Sequence, residues 1–325
     1  MEFKTHILIK ESPRKLSHSS SVITMGSCFA EVIGQQLRDN KFISSVNPFG
    51  TIFNPLSIAY LLDRCISQST LPDHSYLYSK EVWFNYYLHS SFYSHTKQAL
   101  ENDFIRASKD LYHQLTSCDF LILTLGTAYV YELNKYGHTV SNCHKQPSGL
   151  FTKRLLSVEN IRDSLRQALK SAWKINPDIK VILTVSPVRH TKDSIQLNSV
   201  SKAILRLACH QLSESSPAID YFPAFEILMD DLRDYRFYKD DLIHPNAMAE
   251  QYIWEKFIHS YCTPETLELL RQWRQVKKAL NHIPFNSASK EHQQFLKTLL
   301  DQLSRLHQQI PCQEEIHAVQ SQLLK

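Results

Sequence analysis

The sequence predicts an α/β fold with a mainly parallel sheet. Two observations carry the α/β part. Apolar β-prone runs alternate with helical repeats, and two of the runs, FLILTL at 120–125 and KVILTV at 180–185, are continuously apolar. Alternation of this kind builds parallel sheets, and a strand covered on both faces carries no polar side. A third observation concerns the strand ends. Gly26-Ser27, Gly126-Thr127 and Ser186-Pro187 each follow such a run, and open α/β sheets bind ligands beyond the carboxyl ends of their strands.

In chain order, SVITM at 21–25 is the first strand, and Phe29, Val32, Ile33 and Leu37 fall on one face of a helix that follows directly. Phe42 to Val46 reads as a second strand. A helix is expected after Asn54-Pro55, where Asn caps and Pro suits the first helical position. Residues 67–110 break the alternation, and the aromatic run VWFNYYLHSSFY at 82–93 marks an inserted hairpin or lid-like element. The pattern resumes with a strand at 120–125, a helix at 158–173, a strand at 180–185, a helix at 198–212 and a strand around 219–222. A helix over 247–257 closes the unit. From Thr263 onward two amphipathic helices are expected, with Leu270, Trp273, Val276 and Leu280 on the first. Residues 1–262 therefore read as one α/β domain and 263–325 as a helical extension. Packing, or contact between copies of the chain as a homo-oligomer, is the role its apolar stripe implies.

Composition narrows the function classes. The chain has 325 residues, 43% hydrophobic and 21% charged, with a net charge of +4. That balance argues against an electrostatically driven nucleic-acid binder. No run approaches the roughly 20 apolar residues of a membrane helix, and the first 15 residues do not resemble a signal peptide. Seven scattered cysteines without a C-x-x-C pair read as reduced thiols, which points to the cytoplasm. Only six glycines occur, so Gly26, Gly50 and Gly126 at motif-like positions draw notice.

The chemistry concentrates in two segments. In GSCFA at 26–30, Ser27 lies between a strand and a helix, with an exposed Oγ expected beside unpaired helix N–H groups. A bare helix cap is the simpler role for such a serine. Over two hundred residues on, Asp241-Leu242-Ile243-His244-Pro245 places a carboxylate three residues before a histidine. The carboxylate can fix the imidazole tautomer and leave Nε2 to accept a serine proton.

These segments, with NPFGTIFNP at 47–55, TLGTAYVYE at 124–132, NCHKQP at 142–147, TVSPVRH at 184–190 and RDYRFYKDDLIHPN at 233–246, make the chain resemble the GSCFA-domain family. That family looks like a branch of the SGNH/GDSL hydrolase superfamily. The resemblance spans about residues 20 to 260. It implies a three-layer, flavodoxin-like α/β/α sandwich and Ser-His-Asp catalysis on esters without metal or cofactor, with Ser27 as nucleophile, His244 as base and Asp241 as its orienting acid. It also implies an oxyanion hole from the Ser27 N–H, the Gly50 N–H and an asparagine. The superfamily's G-x-N-D block reads Gly126-Thr127-Ala128-Tyr129 here, so Asn142 or the Thr127 hydroxyl is left to supply the third donor. Loss of one such donor costs about 3–4 kcal/mol of transition-state stabilisation.

Other polar residues have weaker claims. Cys28 follows the serine and reads as a buried thiol. Cys143-His144 falls short of a zinc site even with His89, His95 or His190 nearby in principle, so no metal is expected. Arg189 suits a substrate carboxylate or phosphate, with a structural ion pair as the plainer role, and His144 is placed with it as substrate-facing. The expected activity is that of a serine esterase or acyltransferase on a small acyl ester, an O-acetylated carbohydrate being one candidate. The competing expectations are a non-catalytic binding module that kept the pocket, and an interaction protein working through its C-terminal helices.

Overall fold

The structure is a computed structural model that describes residues 5–324. Five parallel strands form the central sheet: β1 Ser21–Gly26, β2 Ile43–Val46, β5 Phe120–Leu125, β9 Lys180–Val185 and β10 Ile219–Phe222. Their order is β10-β9-β5-β1-β2, the flavodoxin-like arrangement. The chain leaves β1 in one direction toward β2 and in the other toward β5. The crevice at that reversal lies where β1 and β5 end, with Gly26 in register with Thr124.

Side-chain alternation divides the core into two layers. Ile23, Met25, Leu121, Leu123, Val181 and Leu183 pack against helices α2 (Pro55–Ile66), α3 (Lys97–Leu115), α4 (Val158–Ile175) and α5 (Ile195–Ser215). Val22, Phe120, Ile122, Ile182 and Phe222 face the other way, onto α1 (Cys28–Asp39) and α7 (Ala247–Tyr261). In α1 the expected face is buried through Phe29, Ile33 and Leu37. Asn54 caps α2 by accepting from the Ser57 N–H at 2.8 Å, with Pro55 at the first helical position.

The segment expected to interrupt the fold does so only in part. Residues 76–85 form a hairpin of β3 (Tyr76–Ser79) and β4 (Val82–Asn85), and 86–93 continues as irregular chain. Beyond it, α3 is a regular crossover helix leading into β5, buried through Leu100, Phe104 and Leu111. A second addition follows β5. Strands β6 (Tyr129–Leu133), β7 (His138–Val140) and β8 (Phe151–Leu155) make a small antiparallel sheet in the order β7-β6-β8. Its segments are short and lack strong alternation, which is why the sequence does not announce them. After β10, a short turn α6 (Ala224–Glu226) runs into a π-helical turn over 227–231.

The C-terminal helices α8 (Pro264–Leu280), α9 (Lys290–Leu306) and α10 (Gln313–Gln320) share an apolar core of their own, including Trp273, Leu299, Leu303 and Val319. Leu270 of α8 packs into the α1/α7 layer, and the helices also meet the end of α1 at a small junction. Trp273 Nε1 donates to the Asp39 carbonyl at 2.8 Å, Lys41 lies 5.1 Å from the Trp273 ring, and Lys41 pairs with Glu315 at 2.6 Å. Trp273 is buried at this junction, so Trp273→Ala is expected to cost about 3–5 kcal/mol in urea unfolding. A loss below 1 kcal/mol would show that the junction contributes little.

Candidate functional site

Three loops meet beyond the carboxyl ends of β1, β5 and β9. Ser27 caps α1, its Oγ accepting from the Phe29 N–H at 3.3 Å. Gly26, at φ +140°, brings β1 so close to β5 that a Cβ there would sit 2.2 Å from the Thr124 carbonyl oxygen. Gly126 packs against Ser27 itself: a Cβ on it would lie 3.2 Å from Ser27 Cβ and 2.9 Å from the Phe53 carbonyl oxygen. That carbonyl accepts from both the Gly126 and Thr127 N–H groups, at 2.8 and 3.1 Å. Ser27 is therefore sealed, with 0% exposure, where the sequence leads one to expect an open hydroxyl. The 50–54 segment returns beside the same strand end through the Ile52 N–H to Gly26 carbonyl bond at 2.8 Å.

The histidine side is open. Asp241 Oδ1 accepts the N–H groups of Ile243 and His244, both at 2.9 Å, and Oδ2 meets His244 Nδ1 at 2.7 Å. The backbone N–H of His244, then that of Ile243, then the His244 ring hold the Asp241 carboxyl down to about 2. An ionised carboxylate only accepts, so Nδ1 carries the hydrogen and Nε2 keeps the basic lone pair. Leu242, at the tip of the turn, has φ +56°, an uncommon setting for a side chain of this size. Pro245 and Asn246 end the turn, and Asn246 caps α7 through the Ala249 N–H at 3.1 Å.

The other sequence-derived candidates are placed as follows. The Ser27 N–H donates to the Thr124 carbonyl at 3.0 Å and the Gly50 N–H to the Asn47 carbonyl at 2.7 Å. The Thr127 hydroxyl lies 3.2 Å from Ser201 Oγ and accepts from the Tyr129 N–H. Asn142 accepts from the His144 N–H through Oδ1, and its Nδ2 has no partner among the described residues. His144 turns away from the strand ends. Its Nε2 lies 2.8 Å from the Asn85 carbonyl oxygen and its ring stacks on Phe84. Burial lowers its pKa, as expected for a ring held in the β3–β4 unit. Arg189 grips the base loop. Its N–H reaches the Ile243 carbonyl and its Nη1 the Leu242 carbonyl, both at 3.3 Å, with the guanidinium 4.2 Å from the Tyr238 ring centre. Burial raises the pKa of both Cys28 and Cys143, which keeps these thiols protonated.

Beside these loops lies a cavity of about 560 Å³, walled by the rings of Phe53, Tyr129 and Tyr131 and by Asn54, Thr127, Asn142, Lys153, Arg189, His190, Lys192 and Ile243. Its size falls in the range of small-ligand pockets. Neither Ser27 nor His244 lines it, but their neighbours do: Thr127 follows Gly126, and Ile243 precedes His244. His190, pressed edge-on against Phe53, is pushed down to about 4 by burial first, then by the Lys202 and His244 charges.

Sequence reasoning missed Lys202 and Asn47. Lys202 occupies a position in the buried stripe of α5 with Asn198, Leu205, Cys209 and Leu212. A lysine where the helical period calls for an apolar residue is the signal that was available. Asn47 holds the Gly26 N–H through Oδ1 at 2.9 Å and bonds Glu31 through Nδ2 at 3.1 Å, tying β1 to the following loop.

Among the described residues no group of three or more metal-ligating side chains occurs, and no helix is long and apolar enough to cross a membrane. Arg189→Ala is expected to speed hydrogen–deuterium exchange across 239–246 by about tenfold or more, leaving β9 unchanged. An unaltered loop would show that Arg189 does not hold it.

Comparison with known proteins places these loops in a family context. The profile of the GSCFA family matches residues 21–257, and that of the GSCFA domain protein C-terminal domain matches 273–325. No curated protein matches the chain. Among solved structures, an acetyl esterase mutant with acetate ion is 13% identical, at a TM-score of 0.35, over 78% of this chain and 98% of its own. A carbohydrate esterase family 3 protein from Talaromyces cellulolyticus is 12% identical, at 0.34, over 78% and 98%. With the first profile covering most of its length, the chain belongs to the GSCFA family.

Proposed function

We propose that the chain is an SGNH-type serine esterase or acyltransferase acting on a small acyl ester. The observation that carries this reading is the Asp241–His244 pair, built by three hydrogen bonds from one carboxylate within a single turn. A structural histidine has no need of a free, correctly tautomerised Nε2 on an open loop. Ser27, at the reversal point of the sheet and at a helix N-terminus, is the hydroxyl this base serves.

The chemistry follows from the groups present. His244 Nε2 takes the Ser27 proton, Oγ attacks the ester carbonyl, and the alcohol leaves with the proton returned by His244. Water or a second alcohol then releases the acyl group by the same route. The attacking hydroxyl has to leave its bond with the Phe29 N–H, and the sealed Ser27 has to become accessible to the ester. Asp241 orients the ring and stabilises the imidazolium.

For the oxyanion, the Ser27 and Gly50 N–H groups are already engaged. The Cys28 N–H is the first orphan donor of α1 and follows the nucleophile directly, as in other serine hydrolases. We assign it the leading place, with Asn142 Nδ2 and the Thr127 hydroxyl as partners. The cavity's rings and side-chain amides suit an acylated sugar or polyol, whose apolar faces stack on tyrosines while its hydroxyls bond amides.

One observation favours a second reading. Ser27 is sealed, with its Oγ and N–H both engaged, as in a binding module that holds an ester or sugar without cleaving it. Hydrolysis of p-nitrophenyl acetate separates the two. A hydrolase loses turnover by about a thousandfold or more in Ser27→Ala or His244→Ala, and strongly in Asp241→Asn. Saturable carbohydrate binding without turnover, equally tight in Ser27→Ala, would support the binding module instead.

A further inference from the structure

Beneath the three loops lies a lysine that the reaction does not use directly. Lys202 on α5 is 1% exposed. Its ammonium donates to the Gly126 carbonyl and to the Ser186 carbonyl, each at 2.7 Å, and its third face meets the Phe225 ring at 5.8 Å. Both bonded acceptors are neutral backbone oxygens, and among the described residues no carboxylate pairs with it. A buried charge without a counter-ion is costly, and an apolar side chain in the same stripe would avoid that cost.

The two carbonyls belong to different halves of the site. Gly126 is the floor against Ser27. Ser186 starts the loop that runs through Val188, whose N–H bonds Ser186 Oγ, to Arg189 and its grip on Leu242 and Ile243. From Ser27 to His244 the packed path therefore passes through one ammonium group.

We propose that Lys202 is a positioning residue: it locks the Ser27 floor to the 186–189 loop that holds the His244 turn, and its charge sets the potential beneath the nucleophile. This role rests on the serine-hydrolase reading. The ionisable groups around it are the Cys28 thiol on α1, His190 on the loop after β9, and His244 beyond His190. None of them is an anion at neutral pH, so the ammonium acts alone. Burial pulls its pKa down from 10.5 to about 7. A neutral amine still offers two N–H donors, so deprotonation leaves the lock in place and removes only the charge. An oxyanion forming at the N-terminus of α1 loses a favourable potential at that point.

The sign follows directly. The cation is present below about 7 and absent above it, so its help to turnover falls as pH rises through that value. Folding releases this proton between about 7 and 10.5, so its contribution to stability changes in the opposite sense and rises with pH across that window.

The full chain and its Lys202→Met and Lys202→Gln variants test the role, with thermal unfolding as the check on folding. For p-nitrophenyl acetate, the wild type is expected to show kcat falling as pH rises through about 7. Both variants lose that falling limb, with kcat ten- to a hundredfold lower in Lys202→Met. A folded variant with the wild-type pH profile overturns the proposal. Two NMR titrations need no turnover. In Lys202→Met the His190 ring should titrate closer to the ordinary histidine range, and an unchanged His190 overturns the electrostatic part. In the wild type with 13C-labelled lysine, one ε-methylene should titrate near 7; if all titrate above 9 the proposal fails, even where no variant folds. A wild type without esterase activity would refute the hydrolase reading alone, and the titrations would still decide the place of Lys202.

Discussion

The close approach of β1 to β5 at their carboxyl ends is the constraint on which the rest of the site depends. No side chain separates Gly26 from the Thr124 carbonyl or Gly126 from Ser27. Because both positions lack a Cβ, the strand ends, the 50–54 segment and the start of α1 converge on one serine. Everything beyond is arranged around that convergence: the Phe53 carbonyl gathers the Gly126 and Thr127 N–H groups, and Lys202 holds the far side of the same peptide. A methyl group at either glycine would push the layers apart before any question of chemistry arose.

The two halves of the site differ in kind. The serine half is closed and immobilised by backbone contacts, with a hydroxyl already serving as a cap. The histidine half is an open turn fixed by one carboxylate and propped from below by Arg189. On the proposed serine-hydrolase reading, such a division lets His244 keep its tautomer while Ser27 stays closed. It also separates stability from reactivity. The buried half contributes to the core, and the exposed half carries Leu242 at positive φ.

Much of this was legible in the sequence because it depends on local pattern. FLILTL and KVILTV announce buried parallel strands, Asn54-Pro55 announces a capped helix, and Asp241-x-x-His244 announces a carboxylate against an imidazole. What was not legible depends on how distant backbones meet. Nothing near Ser27 in the sequence indicates that residues 50–54 return beside it, or that its N–H meets Thr124. Arg189 reads as a substrate anchor because a guanidinium suits anions; it lines the cavity, and its bonds to the Leu242 and Ile243 carbonyls were not legible. His144 sits in a motif that looks functional and packs on Phe84. Lys202 had a signal, a cation in an apolar register, but the signal carries meaning only once its two acceptor carbonyls are known.

The central claim is that one hydroxyl, at the reversal point of a parallel sheet, reacts under the control of an imidazole more than two hundred residues away. Its most direct test is peptide mapping by mass spectrometry after treating the intact chain with a fluorophosphonate probe. This account expects a single adduct on the peptide that carries Ser27, formed much more slowly when His244 is replaced by alanine. An adduct on another residue, or none at all in a folded protein, would contradict it and leave the α/β fold without this chemistry.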